Sequence, residues 1–371
     1  MSLNEEQRAL LWLSLGGVTS SQLASIEQRF KTAAGFRRAY QNGEHSPFGG
    51  TVGEVLTSLK SEDALDKKIE YLKQRKIKFF FRDDPCYPEL LSTIPDAPYL
   101  LYYAGNLDAL KMNCIGIVGT RRCSEYGLEM SGYLASGLAK KNICIVSGLA
   151  YGIDGAAHKA ALNVGGTTIG ILGSGINVPY PEDHIDLLRK IATNKGLILS
   201  EYPPDSKPDG FHFPYRNRII SGLSLGVVFV EGTMRSGALH TVNAALDQGR
   251  EVFAVPGQVG KSVAEGPNTI LREGARLVTS AKDILEDLGL SQEDEEPEES
   301  EEEDINEGLT ESQLQIMDAL SLNPMTSDEI AKQLPISNDE IIAELGFLEI
   351  SGLITKEAGN QYRVKISRGR Q

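Results

Sequence analysis

The sequence predicts an α/β protein built on a doubly wound, mostly parallel sheet. Two observations carry this. Short, continuously apolar runs such as Ile115-Gly-Ile-Val118, Ile143-Cys-Ile-Val146 and Val227-Val-Phe-Val230 recur through the middle of the chain. Helical stretches alternate with them, and most runs end in a loop containing glycine. Strands that are apolar without alternation are buried on both faces, the condition of a parallel sheet covered by helices.

Residues 1–62 read as a small helical domain. Leu10-Leu-Trp-Leu13 leads into Gly16-Gly-Val-Thr, and Leu23, Ile26, Phe30 and Phe36 mark the apolar face of the next helical stretch. Gly16-Gly17-Val18 reads either as a structural turn or as a phosphate-gripping hairpin. Residues 63–288 form the sheet domain. A helix over about 63–76 precedes two extended runs, Lys78-Phe-Phe-Phe81 and Tyr99-Leu-Leu-Tyr-Tyr103. The strand at 115–118 is then followed by a helix from about Glu125 to Lys141, and the strand at 143–146 by a helix from about Asp154. Further strands are expected at Thr168–Leu172, Leu197–Ser200, Val227–Val230 and Val252–Val255, with a helix from about Ser236. Strand-to-helix loops of such a sheet emerge at one edge, so those at 119–122, 147–153, 173–175 and 231–237 converge where ligands bind in open α/β folds.

Residues 289–308 are expected to be a disordered linker. The run 291–308 holds eleven acids and no base, and a self-repelling segment this poor in apolar residues buries too little surface to fold. The same run also suits mimicry of a polyanion. Residues 309–366 read as a winged helix: three helices opened by Thr310, Thr326 and Ser337, then alternation around the hairpin signal Gly359-Asn360. Its third helix carries Asp339, Glu340, Glu344 and Glu349, where a duplex reader needs bases. That favours a protein-interaction module.

Net charge is −14, but without the acidic run the remainder carries only −3, so the balance does not exclude a polyanionic ligand. No run of apolar residues is long enough to span a bilayer, and the first residues lack the pattern of a signal peptide. The four cysteines never form Cys-x-x-Cys; Cys114 and Cys144 lie in strand-like runs and are expected in the core. A reduced, cytoplasmic protein without metal is the expectation.

The segment Phe211-His-Phe-Pro-Tyr-Arg-Asn-Arg218 places two arginines beside three aromatic residues. Guanidinium groups pair bidentately with phosphate, and aromatic faces stack on unpaired bases. The other reading is that the aromatics are core residues and the arginines are structurally paired. Gly119-Thr120-Arg121-Arg122 and Arg235-Ser236-Gly237 add guanidiniums and close-approaching backbone N–H groups at the loop edge. No Gly-Lys-Ser/Thr sequence exists, which excludes a Walker A site, and no loop carries a full dinucleotide fingerprint. Asp154 and His158, four residues apart, read as an acid/base pair or as a helix cap with a packed histidine. Glu231 is the best lone carboxylate for nucleotide hydrolysis, with a structural role as the other reading. Five arginines (121, 122, 216, 218 and 235) beside few catalytic candidates favour binding over catalysis.

Several of these segments resemble one family. They are Gly119-Thr-Arg121, Ser147-Gly-Leu-Ala-Tyr-Gly-Ile-Asp-Gly-Ala-Ala-His158, Phe213-Pro-Tyr-Arg-Asn-Arg-Ile-Ile-Ser-Gly-Leu-Ser224, Arg235-Ser-Gly237 and Gly249-Arg-Glu-Val-Phe-Ala-Val-Pro-Gly257. In this order, over roughly residues 85–288, they are similar to the DNA processing protein A (DprA/Smf) family. The resemblance implies an extended Rossmann-like domain, an N-terminal domain like a sterile-alpha-motif fold, and a C-terminal winged helix. It implies a homodimeric mediator of natural transformation that binds single-stranded DNA, loads RecA recombinase and is not an enzyme. No cofactor is expected.

Carried onto this sequence, the nucleic-acid site comprises Gly119, Thr120, Arg121, Arg122, Ser147, Gly148, Phe211, Phe213, Arg216, Asn217, Arg218, Arg235, Ser236 and Gly237. The dimer region falls at Ile270, Leu271 and Leu277, and the recombinase-contacting surface at Leu246. After Tyr180-Pro181, where some members carry a basic residue, this chain has Glu182-Asp183-His184, which puts a strand contact there in doubt. Two readings stay beside the mediator: a nucleotide phosphoribohydrolase-type enzyme with Glu231 as its acid, and a scaffold that recruits proteins through the winged helix and acidic run.

Overall fold

Residues 3–44, 47–291, 309–356 and 359–364 are described by a computed structural model, and the chain divides into two units, 1–290 and 291–371. The first opens with helices α1 (Glu5–Leu15), α2 (Ser20–Phe30), α3 (Ala33–Gln41), α4 (Gly50–Ser58) and α5 (Glu62–Gln74). Asn4 and Thr19 begin α1 and α2 with capping boxes, satisfying N–H groups that have no partner within the helix. At the end of α1, Gly17 takes φ +80°, Val18 N donates to Leu13 O, and Gly17 N donates to Ser14 O. This is a Schellman turn. Gly16-Gly17-Val18 is therefore a helix stop, the structural alternative of its two readings.

Strand β1 (Lys78–Phe81) comes next, then the short helix α6 (Glu89–Ser92) and β2 (Leu100–Gly105). They lead to β3 (Cys114–Val118), α7 (Glu125–Lys140), β4 (Cys144–Ser147), α8 (Ile153–Asn163), β5 (Thr168–Ile171), α9 (Ile185–Thr193) and β6 (Leu197–Ser200). The unit ends with α10 (His212–Leu223), β7 (Gly226–Phe229), α11 (Leu239–Asp247), β8 (Glu251–Ala254), α12 (Glu265–Arg272), β9 (Arg276–Leu277) and α13 (Ala281–Asp287). The nine-stranded sheet runs β1-β2-β6-β5-β4-β3-β7-β8-β9, antiparallel only at β1–β2 and β2–β6. Winding proceeds outward from β3 in one direction and from β7 in the other. Their shared border is thus the switch point, where loops part and leave a crevice.

Alternate residues of β3 serve two cores. Cys114 and Val118 pack with Ile219, Ile220 and Val242 on one face, while Ile115 and Ile117 pack with Met130, Leu134 and Ala157 on the other. This is the physical content of an unalternating apolar run. Cys114 and Cys144 are both buried and sit opposite each other on neighbouring strands.

Packing is continuous across residue 62. Leu65 and Leu72 of α5 share a core with Leu11, Trp12 and Phe36, and that core extends onto Phe81, Tyr99 and Tyr102. Hydrogen bonds from the Tyr99 hydroxyl to Val18 O (2.7 Å) and between Ser14 Oγ and the Tyr102 hydroxyl (2.9 Å) fasten the helices to the sheet.

The second unit contains α14 (Glu311–Leu322), α15 (Ser327–Gln333), α16 (Asn338–Ile350), β10 (Ile354–Lys356) and β11 (Tyr362–Val364). Thr310, Thr326 and Ser337 cap its helices as expected. Gly359 and Asn360 both take positive φ (85° and 58°), and the strands pair antiparallel from Ile354↔Val364 to Lys356↔Tyr362. This is the anticipated winged helix. Most of the expected linker, 292–308, and residues 365–366 lie outside the described residues.

Candidate nucleic-acid interface

Backbone hydrogen bonds tie the loops at the switch point together. Thr120 N donates to Glu231 O (2.7 Å), and Ile153 N donates to Thr120 O (3.4 Å). Gly152 has φ +73°, and a Cβ there would collide with the Thr120 carbonyl. The 119–122, 148–152 and 231–237 loops thus form one edge, three of the four loops that the sheet pattern anticipates there.

Arg121, Arg122, Arg235 and Gly237 are exposed on this edge. Thr120 Oγ1 accepts from Arg122 N (3.3 Å), and Thr233 Oγ1 accepts from Arg235 N (3.2 Å), so side chains hold both turns. Helix α11 starts at Leu239, three residues later than expected: Ser236 Oγ accepts from Ala238 N (3.4 Å) in a turn before it.

The aromatic–arginine segment is helix α10, an element that the sequence pattern does not assign. Pro214 at its third residue is the available signal, since proline is tolerated in a first helical turn. Residues two apart on a helix do not face the same side. Arg216 and Arg218 therefore separate.

Arg216 turns towards the loops. Its Nη1 donates to Gly148 O (2.9 Å), and its Nε donates to Asn217 Oδ1 (3.2 Å). Asp154 Oδ2 approaches the same glycine, accepting from Gly148 N (3.1 Å) and Ala150 N (3.3 Å). A Cβ on Gly148 would stand 2.7 Å from Arg216 Nη2 and 2.9 Å from Asp154 Oδ2, so glycine is required by close approach. Burial pushes the Arg216 guanidinium down to about 10, against the pull of Asp154, and it stays charged at neutral pH. Burial raises the Asp154 carboxyl, with Arg216 and the two amides opposing.

Arg218 has a different role from the one expected. It is buried, with Nε 2.8 Å from Asp96 Oδ2 and Nη2 2.8 Å from Glu201 Oε1, and its guanidinium lies 3.9 Å from the Tyr215 ring centroid. Burial alone would lower its pKa, but the two carboxylates outweigh that and hold it above the usual arginine value. Its charge is matched inside the fold, the structural reading for this one arginine. Asp96 and Glu201 carry no local signal that announces them.

Phe211 is 88% exposed, whereas Phe213 is half-buried with Arg121 5.6 Å from its ring centroid and Tyr180 at 5.5 Å. Arg121, Arg216, Gly148, Tyr151, Tyr180 and Phe213 line a shallow surface pocket of about 20 Å³. Tyr151 and Tyr180 are absent from the expected site; an aromatic residue within a strand-end loop is the signal for Tyr151. Asn217 is buried and donates to Gly237 O (3.2 Å), a link between α10 and the 231–237 loop. Ser147 is buried beneath the edge, its hydroxyl donating to Ile117 O (2.6 Å).

The catalytic candidates are held by the fold. Glu231 accepts from Ser124 N (2.8 Å) and Ser124 Oγ (2.6 Å) where α7 begins. His158 Nδ1 bonds Thr168 Oγ1 (2.6 Å), and burial, with the His184 and Arg216 charges, brings its pKa down to about 3. His184 is buried, with Nδ1 2.9 Å from Leu149 O, so it turns inward from the edge. Ile270 is a core residue at 6% exposure and cannot offer a dimer surface; Leu271 packs beside it half-buried, and Leu277 and Leu246 are exposed.

The arrangement offers guanidiniums for phosphates and aromatic faces for bases. Residues 78–289 match the family described as DNA recombination-mediator protein A, and residues 296–360 match the DprA winged helix domain. The chain is 49% identical over 202 residues to DNA processing protein DprA of Streptococcus pneumoniae, covering 54% of this chain and 71% of that protein. It is 37% identical to protein Smf of Escherichia coli over 308 residues, 81% of each chain. The X-ray structure of the S. pneumoniae protein superposes with a TM-score of 0.65 at 39% identity, over 77% of this chain and 98% of that one. DNA processing protein A of Helicobacter pylori, whose structure is described by its single-stranded DNA binding mode, superposes with a TM-score of 0.52 at 29% identity, over 57% and 95%. The fold, the switch-point edge and these matches agree: the chain belongs to the DNA recombination-mediator protein A (DprA/Smf) family.

Proposed function

We propose that this chain binds single-stranded DNA without sequence preference along the switch-point edge and, as a homodimer in the cytoplasm, loads RecA recombinase onto incoming DNA. The observation that carries the binding step is the pocket flanked by Arg121 and Arg216 and walled by Tyr151, Tyr180 and Phe213, with Phe211 exposed nearby in sequence. Arg121 takes phosphate, supported by Arg122 and Arg235; the N–H groups of Thr120, Gly148 and Ser236 are already bonded within the fold and do not take part. Arg216 contributes charge from beneath, and Phe211 and Phe213 stack bases. Leu246 on α11 is the proposed recombinase contact, and Leu277 on edge strand β9, with Leu271, the dimer contact. Binding without chemistry is supported by the structural commitments of Glu231, His158, His184 and Ser147.

The test is anisotropy titration of labelled oligo-dT and of duplex DNA at two salt concentrations. The expected result is preference for the single strand and a fall in affinity with salt. Arg121→Ala should weaken binding and reduce the logarithmic salt slope by about 0.7, the contribution of one phosphate in single strands. Equal binding of duplex and single strand, or no effect of Arg121→Ala, would overturn the proposal.

A further inference from the structure

The winged helix places an apolar stripe on the helix that a duplex reader would lay in the major groove. Ile342, Phe347 and Ile350 of α16 are 59%, 51% and 90% exposed. Ile341, Leu345 and Leu348 of the same helix are buried in the unit's core. At about 100° per residue the three exposed side chains span about 140° of the outer face. Ala343 and Gly346 lie between them, so small residues leave the stripe open to a partner.

Acids frame it. Asp339 and Glu349 are exposed beside the stripe, and Glu340, whose Oε1 accepts from Ser312 Oγ (2.8 Å), joins Asp339 in the first turn. Recognition helices contact base edges through their N-terminal residues, and phosphate binding is driven by lysine and arginine. Here those positions carry carboxylates. Residues 309–366 hold nine acids and four bases, a net −5, and two of the bases, Lys356 and Arg363, belong to the wing strands.

From this we infer that the outer face of α16 is a protein-docking surface whose occupant is a basic, amphipathic segment of another protein. The apolar side of such a segment covers Ile342, Phe347 and Ile350, and its lysines or arginines meet Asp339 and Glu349. A second copy of this unit is disfavoured because it would set acid against acid. Duplex DNA is disfavoured for the same reason. The helix-in-groove mode needs an apolar strip with complementary charge at its rim, and both are present.

The test uses the full chain and three fluorescent probes: a synthetic leucine–lysine peptide of helical periodicity, its leucine–glutamate counterpart, and a DNA duplex. The leucine–lysine peptide should bind and the leucine–glutamate peptide should not. Ile342→Ser with Ile350→Ser should weaken the lysine peptide about tenfold or more, since each isoleucine loses its burial. Asp339→Lys with Glu349→Lys should weaken the lysine peptide and admit the glutamate peptide; all four side chains are exposed, and thermal melting checks that both variants fold. Affinity for the lysine peptide unchanged in both variants would place the peptide on the acidic run 291–308 and overturn the inference. Duplex binding that is lost in the Ile342/Ile350 variant would overturn it as well.

Discussion

Arg218 and Glu201 form an ion pair with Nη2 2.8 Å from Oε1 and both side chains 8% exposed. Asp96 Oδ2 lies 2.8 Å from Nε of the same guanidinium, so one arginine serves two carboxylates. Breaking such a pair from one side leaves buried carboxylate charge without compensation. Arg218→Ala should therefore destabilise the chain by about 3–5 kcal/mol, read from denaturant unfolding. Equal stability of variant and wild type would show that the cluster is not intact in solution.

Phe211 should behave in the opposite way. At 88% exposure its ring has little folding role, so Phe211→Ala should leave the melting temperature unchanged. Its stacking role should appear as a loss of about 1–3 kcal/mol in affinity for oligo-dT. Unchanged affinity would remove Phe211 from the interface.

Glu231 separates binding from catalysis. Its two bonds from Ser124 hold the start of α7, so Glu231→Gln should cost about 1–3 kcal/mol of stability. Neither the wild type nor the variant should release free base from AMP. Base release by the wild type that disappears in the variant would make Glu231 an acid of the phosphoribohydrolase kind.

Acidification should weaken the fold through His158. Its folded pKa of about 3 lies below the ordinary 6.5, so the folded chain resists a proton that the unfolded chain accepts. The neutral-pH stability is complete above about pH 6.5 and is lost as pH falls from there towards pH 3. Between pH 7 and pH 5 the loss should be about 2 kcal/mol. Asp154, whose carboxyl is raised by burial, acts in the opposite sense as it takes up a proton. Unfolding curves at the two pH values should therefore converge in His158→Gln. An equal pH effect in the variant would assign the loss to other groups.

Much of the architecture is legible because it arises from local chemistry. Unalternating apolar runs belong to strands buried on both faces, Thr310, Thr326 and Ser337 cap the helices they precede, and Gly359-Asn360 takes the positive φ values of a hairpin turn. Convergence of the 119–122, 148–152 and 231–237 loops comes from parallel connectivity. The composition also shows acidity concentrated in one run, leaving the rest of the chain near neutral.

The division of labour between Arg216 and Arg218 was decided only by tertiary structure. Both lie within one eight-residue motif, but a helix turns residues two apart away from each other. One then meets Gly148, six residues from Asp154, and the other meets Glu201, 17 residues before it, and Asp96, 122 residues before it. Ile270 likewise reads as surface or core with equal ease until α12 is laid against β8. A side chain's charge and size are local properties. Whether that charge faces solvent or a carboxylate depends on how separate chain segments, the one bearing Asp96 and the one bearing Glu201, are brought to it, and that relationship exists only once the sheet has formed.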